Sequence, residues 1–328
     1  MRSPTSARSG NLLGMATAHN DYLAMLVSWA EKASSVRGVM VMGSVAQTGT
    51  EDGLSDLDVM LITTKPRELR RGKWLAELGP RPILSWTYRS PIGRQTVRQV
   101  VYDGPLVVDI ATTSWTQAAL TGATVAAIAR LPRLRHAFPA TVSAQLDAWL
   151  QITRRGTRVL VDKDGIANRM ARSIGQESTP APSEAEFLNT VDSLFGLLLW
   201  QSKQLVRGEL WMALATVGHQ VEEQMLVMLQ WHTAARHQDA TDTWYGGRHI
   251  AQWLDPRLSA ALPKTWSGYD VDGAWEALVA TLDLFSVAAR QVADTGRFHY
   301  PADDERQLRE WLSERQPERT EPRRSDTP

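Results

Sequence analysis

Residues 41–62 read Val-Met-Gly-Ser-Val-Ala-Gln-Thr-Gly-Thr-Glu-Asp-Gly-Leu-Ser-Asp-Leu-Asp-Val-Met-Leu-Ile. An apolar run, Gly38 to Met42, leads into Gly43-Ser44. A second apolar run, Leu57 to Ile62, lies beyond a polar spacer, and both runs read as strands. The Gly43-Ser44 turn offers backbone N–H groups and a hydroxyl to phosphate oxygens. Asp56 and Asp58 are two residues apart at the start of the second strand. Residues i and i+2 of a strand face the same side, so the two carboxylates project together. Such a pair suits magnesium, a hard cation that takes carboxylate oxygens. A phosphate cradle beside paired acids is the equipment of nucleotidyl transfer. The competing reading is a polar hairpin with solvated aspartates. The position of both acids on an apolar strand speaks against it.

Bulk properties narrow the function classes. With 328 residues the chain has room for two domains or one large one. Its 36 basic and 36 acidic residues cancel, so no broad basic field is expected to hold a long nucleic acid. The absence of cysteine excludes disulfides and thiolate metal sites and agrees with a cytoplasmic location. The longest apolar run, Leu194 to Trp200, is too short to span a bilayer. Met1 to Gly10 is polar and lacks a signal-peptide core, so no membrane association is expected. His219, His232, His237 and His249 show no ligand spacing, and no zinc site is assigned. Ser44 as a nucleophile lacks both a Gly-x-Ser-x-Gly setting and an evident His-Asp partner.

The organisation reads as an α/β (α+β) fold, a mixed sheet flanked by helices, followed by an α-helical bundle. Residues 1–17 read as disordered and 18–175 as the first domain. Within it, 18–34 is an amphipathic helix with Tyr22, Met25, Leu26 and Trp29 on one stripe and Asn20 as its cap. A helix opening at Pro66 runs to Leu78, and extended runs follow at 83–88, 96–102 and 106–112. Asp103-Gly104 marks a two-residue turn. Helices at 117–129 and 141–154 precede a short strand at 158–161. Residues 176–183 read as a linker. Ser183 with Glu186 is a capping box that opens a helical domain over 184–314, with helices at 184–206, 209–232, 247–254 and 271–295. Residues 315–328 are charged and proline-rich and read as a disordered tail.

The Gly-Ser, spacer, Asp-x-Asp order resembles the signature of nucleotidyltransferases related to DNA polymerase β. Further landmarks resemble one branch of them, the aminoglycoside 6-adenylyltransferases that act on streptomycin. These are Leu26 to Glu31 before the first strand, Val100 to Gly104 before Val108-Asp109, and Leu160 to Asp164. Later come Glu186-Phe187, Lys203 with Arg207 to Leu210, and Met228 to Trp231. The chain departs from the pattern at Val45, where the family often has arginine, and at Leu57, where it has tyrosine.

The resemblance implies magnesium-dependent transfer of AMP from ATP to a hydroxyl of an aminoglycoside, and with it antibiotic resistance. It implies that Asp56, Asp58 and Asp109 form a three-carboxylate site for two magnesium ions about 3.5–4 Å apart. Asp109 is also the candidate base. Gly43 and Ser44 would hold the outer phosphates. Lys203 and Arg207, four apart on one helix face, are candidates for the triphosphate, and Lys163 is a weaker one. For a polycationic acceptor the candidates are Asp192 and Glu222 with its neighbour Glu223, and Trp244-Tyr245 as a stacking surface. The active site is expected in the cleft between the domains. The alternatives are a nucleotidyltransferase with another small-molecule or protein acceptor, and a catalytically silent nucleotide-binding regulator.

Overall fold

The computed structural model describes residues 4–46, 55–90, 95–104, 106–131, 156–171, 181–236 and 246–316, with 146, 149, 150, 152, 153 and 243. The expected helix at 141–154 and tail at 315–328 fall mostly outside these residues. Trp244, Tyr245 and His237 lie outside them as well. The chain folds as two units, Met1–Gln176 and Glu177–Pro328. Among the described residues no helix is long and apolar enough to cross a membrane.

The first unit is a six-stranded mixed sheet with the strand order β3-β4-β5-β2-β1-β6. The strands are β1 Val36–Met42, β2 Leu57–Thr63, β3 Leu84–Arg89, β4 Thr96–Val101, β5 Val107–Ser114 and β6 Thr157–Asp162. Only β2 and β5 pair in parallel, and the other neighbours are antiparallel. Side chains alternate as the pleat requires. Val39, Val41, Val59 and Leu61 enter one core, with Tyr22 and Leu26 of α1 (Pro4–Lys32). Met40, Met42, Met60 and Ile62 enter the opposite core. There they meet Ala118 and Val125 of α3 (Trp115–Arg130) and Ala167 and Met170 of α4 (Ile166–Ala171). Both faces of β1 and β2 are buried, which is why these strands read as continuous apolar runs.

Three expectations are corrected here. Helix α1 begins at Pro4, so residues 4–17, expected to lack structure, are helical and Asn20 lies inside the helix and not at its start. The expected helix from Pro66 to Leu78 is broken into α2 (Pro66–Arg70) and a 3-10 turn (Lys73–Glu77). Gly72 between them has φ 74°, and a Cβ there would meet the Arg98 guanidinium at 2.8 Å. That positive φ favours glycine. Lys163 is no phosphate ligand: its Nζ donates to the carbonyls of Ala30, Glu31 and Ala33 at 2.8, 3.1 and 3.0 Å. It thereby satisfies the open end of α1.

The second unit is a helical bundle around Phe187, Leu194, Leu198, Met228, Trp275 and Phe285. Its first helix, α5 (Glu184–Val206), starts with the reciprocal Ser183–Glu186 capping box read from the sequence. The expected helix at 209–232 is in fact a π-helical turn, Met212–Val217, continuing into α6 (Gly218–Arg236). Two short helices, α7 (Ile250–Trp253) and α8 (Pro256–Ala261), precede α9 (Val271–Gly296) and α10 (Ala302–Arg315). Glu305 of α10 is buried and is held by Arg290, Arg309 and Tyr300.

Candidate active site

Pairing of β2 with β5 places Asp58 opposite Asp109, on parallel neighbours about 4.8 Å apart. Met60 and Ile62 share the face of Asp58, and Ala111 shares that of Asp109. All three belong to the core under α3, so both carboxylates stand on the same side of the sheet. Asp56, one pleat before Asp58, is exposed at the strand's mouth. Gly43 closes the group from β1, whose last residue, Met42, is the partner of Asp58. Gly43 has φ 74°, and a Cβ on it would stand 2.9 Å from Asp58 Oδ2. The turn therefore lies directly against the carboxylate, in a backbone conformation that favours glycine. The backbone of Ser44 continues as a short 3-10 turn, Ser44–Ala46.

Two further side chains join this group that sequence reading passed over. Tyr88 on β3 reaches across β4, and its hydroxyl donates to Asp109 Oδ2 at 2.7 Å. Burial, the bond to Asp109 and the charges of Asp109, Asp58 and Asp56 all push the Tyr88 hydroxyl pKa upward. His19, 2% exposed on α1, attracts the charge of Asp56. Neither position carries a sequence signal. Both reach the acids through tertiary packing alone.

The electrostatics of the group fit a divalent cation. Burial raises the carboxyl pKa of Asp56, the charge of Asp109 raises it further, and His19 pulls it back. Asp109 Oδ1 is buried without a hydrogen-bond partner. Mutually repelling acids around an unsatisfied oxygen are a donor set that a hard cation neutralises. Among the described residues no three acidic or histidine side chains stand at metal-ligand spacing.

The raised pKa of Asp56 sets a pH dependence. Protonation favours the folded, metal-free state, so the contribution is full below the ordinary carboxylate value of 3.8 and is lost as pH rises through the raised value. Asp56→Asn should therefore raise the melting temperature of metal-free protein near neutral pH, and the gain should vanish in acid. Thermal melts across pH check this, and a gain that persists in acid contradicts it. Tyr88→Phe leaves Asp109 Oδ2 without its donor and should slow turnover by about tenfold, on the scale of one hydrogen bond to a charged group. A kinetic comparison of the two proteins checks this. An unchanged kcat contradicts a role for the contact.

The candidates on the helical unit lie on α5 and α6. Lys203 and Arg207 are exposed at the end of α5, with the Lys203 ammonium 5.8 Å from the centre of the Trp311 ring. Asp192 is exposed on α5. Glu222 and Glu223 on α6 border a cavity of about 640 Å³ inside the unit.

The profile of the family described as streptomycin adenylyltransferase matches residues 17–101 and 141–315, most of the chain. Asp109 lies in the unmatched stretch, so its place beside Asp58 rests on the β2–β5 register. No curated protein sequence matches. Among solved structures, an aminoglycoside 6-adenyltransferase from Bacillus subtilis is similar at 15% identity, covering 90% of this chain and 95% of that one, TM-score 0.40. A nucleotidyltransferase-like protein from Exiguobacterium sibiricum is similar at 11% identity, covering 85% and 78%, TM-score 0.31. A CCA-adding enzyme solved with CTP is similar at 12% identity, covering 89% and 69%, TM-score 0.28.

Proposed function

This chain belongs to the streptomycin adenylyltransferase family of nucleotidyltransferases, and from that premise we propose that it transfers AMP from ATP to a hydroxyl of an aminoglycoside. The observation that carries the reading is the registered pair Asp58–Asp109 with Asp56 beside it and Gly43 packed against Asp58. A nucleotide-binding regulator needs the phosphate turn but has no use for three mutually repelling acids.

The chemistry is a displacement at the α-phosphorus. The acceptor oxygen forms a bond to phosphorus, the bond to the pyrophosphate oxygen breaks, and pyrophosphate leaves. Asp109, with Oδ1 unsatisfied and Oδ2 anchored by Tyr88, takes the hydroxyl proton. Gly43 and the backbone of Ser44 cradle the outer phosphates. Magnesium, held by Asp56, Asp58 and Asp109, supplies charge neutralisation for the phosphates when bound. Asp192, exposed and without a cation partner among the described residues, is the proposed contact for an acceptor amine. Incubation with ATP, magnesium and a panel of aminoglycosides tests the proposal by mass spectrometry. An adduct of one AMP supports it. No adduct on any member transfers the reading to another acceptor.

A further inference from the structure

We propose that the cavity inside the helical unit is a binding site for a small amphipathic cation: an apolar ring body of drug size bearing one basic amine. The inference concerns the bundle alone and stands independently of the transfer reaction. The cavity, about 640 Å³, falls within the usual range for small-molecule sites. Its lining is mainly apolar and includes Leu214, Val221, Met225, Leu226, Leu229 and Leu278. A polyhydroxylated sugar pressed against that wall would lose hydrogen bonds to water and regain few. An apolar ring loses nothing there.

The polar groups define the rest of the ligand. Three titratable side chains border the space: His219, Glu222 and Glu223. His219 and Glu223 face each other at 3.5 Å, an exposed pair one helical turn apart. Glu222 makes no ion pair among the described residues, and partial burial raises its pKa against the pull of His219. An acid in that position is stabilised in its charged form by an incoming ammonium. Ser267 Oγ, also in the lining, is buried with no hydrogen-bond partner. It is an unsatisfied polar group in the wall of the same space. Trp266, 61% exposed, supplies an aromatic face at the border for a ring or a cation.

The backbone around the cavity is specialised as well. The π-helical turn Met212–Val217 contributes Leu214 and ends at Gly218, both in the lining. Such turns occur often at functional sites. Gln201, itself buried, donates from Nε2 to the Ala213 carbonyl at 3.1 Å and holds the turn in place. Across the cavity Gly246 and Gly247 both have positive φ, 54° and 76°, and bring bare backbone to its edge.

The test uses three probes of one shape: 1-naphthylmethylamine, 1-naphthylmethanol and 1-naphthoate, titrated calorimetrically into the full chain. The amine should bind about fivefold more tightly than the carboxylate, the upper scale of one solvent-exposed charge contact. Glu222→Gln should remove most of that preference and leave the alcohol unaffected. Leu226→Trp, a partly exposed wall position, should weaken all three probes by filling the space, with circular dichroism as the check on folding. Asp58→Asn, in the other unit, should leave the titrations unchanged. No saturable binding of the amine, equal affinity for all three probes, or binding indifferent to Leu226→Trp would overturn the proposal.

Discussion

Asp58→Asn reduces nucleotidyl transfer by about a thousandfold or more while the protein keeps its melting temperature; that is the expected result. The substitution is isosteric and removes one charge from the position where β2 meets β5. Phosphoryl transfer depends on positioning and charge neutralisation, so losing one fixed charge contact costs on the order of 10²–10³ in rate. In the proposed site the lost acid is also a cation ligand, which places the effect at the upper end or beyond. The fold tolerates the change because the buried residues of β2 that form the core are Leu57 and the Val59–Ile62 run. Removing one of three like charges relieves repulsion. Asp103→Asn is the matched control: that acid is exposed and, among the described residues, accepts the Gly104 N–H of its own turn, so activity should stay within twofold or so of the parent. Steady-state rates and thermal melts of the two variants check both halves. A surviving Asp58→Asn enzyme would mean that the site is wrongly assigned.

The second large effect is Gly43→Ala. With φ at 74°, an alanine costs about 1–2 kcal/mol of backbone strain. Its Cβ would also stand 2.9 Å from Asp58 Oδ2, closer than carbon and oxygen tolerate. The displaced group is the end of a short side chain, so the clash is relieved by moving the carboxylate. Stability therefore falls modestly, whereas the acid is pushed from its place. Misplacement by about 1 Å can cost a hundredfold in rate, and that loss is expected in kcat. A fall in melting temperature with unchanged kcat would separate Gly43 from the chemistry.

What could be read from the chain follows a physical division. Interactions between near neighbours were legible. The strand–turn–strand unit around Gly43 and the Ser183–Glu186 cap depend on residues within one or two turns of each other. The fold class followed from the same local patterns, because the strands buried on both faces are apolar throughout. Long-range contacts were not legible. Lys163 looked like a phosphate ligand because nothing nearby shows that α1 ends over its ammonium, some 130 residues earlier in the chain. Tyr88 looked like an ordinary strand residue until β4 carried it alongside Asp109. The break at Gly72 lies against Arg98, and the π-helical turn accepts a hydrogen bond from Gln201 at the Ala213 carbonyl, contacts that no local pattern displays. Nor did the local pattern reveal that Glu222 opens onto an aliphatic cavity and not onto a broad acidic surface.

The most direct measurement is divalent-ion binding read by electron paramagnetic resonance, with Mn²⁺ in place of magnesium and a non-hydrolysable ATP analogue present. The parent protein should hold Mn²⁺ with the nucleotide, and Asp58→Asn and Asp109→Asn should each weaken that binding by about tenfold or more, because each removes a negative oxygen ligand. If Mn²⁺ binds equally well to all three proteins, the paired strands β2 and β5 do not carry the metal site, and the account fails at its centre.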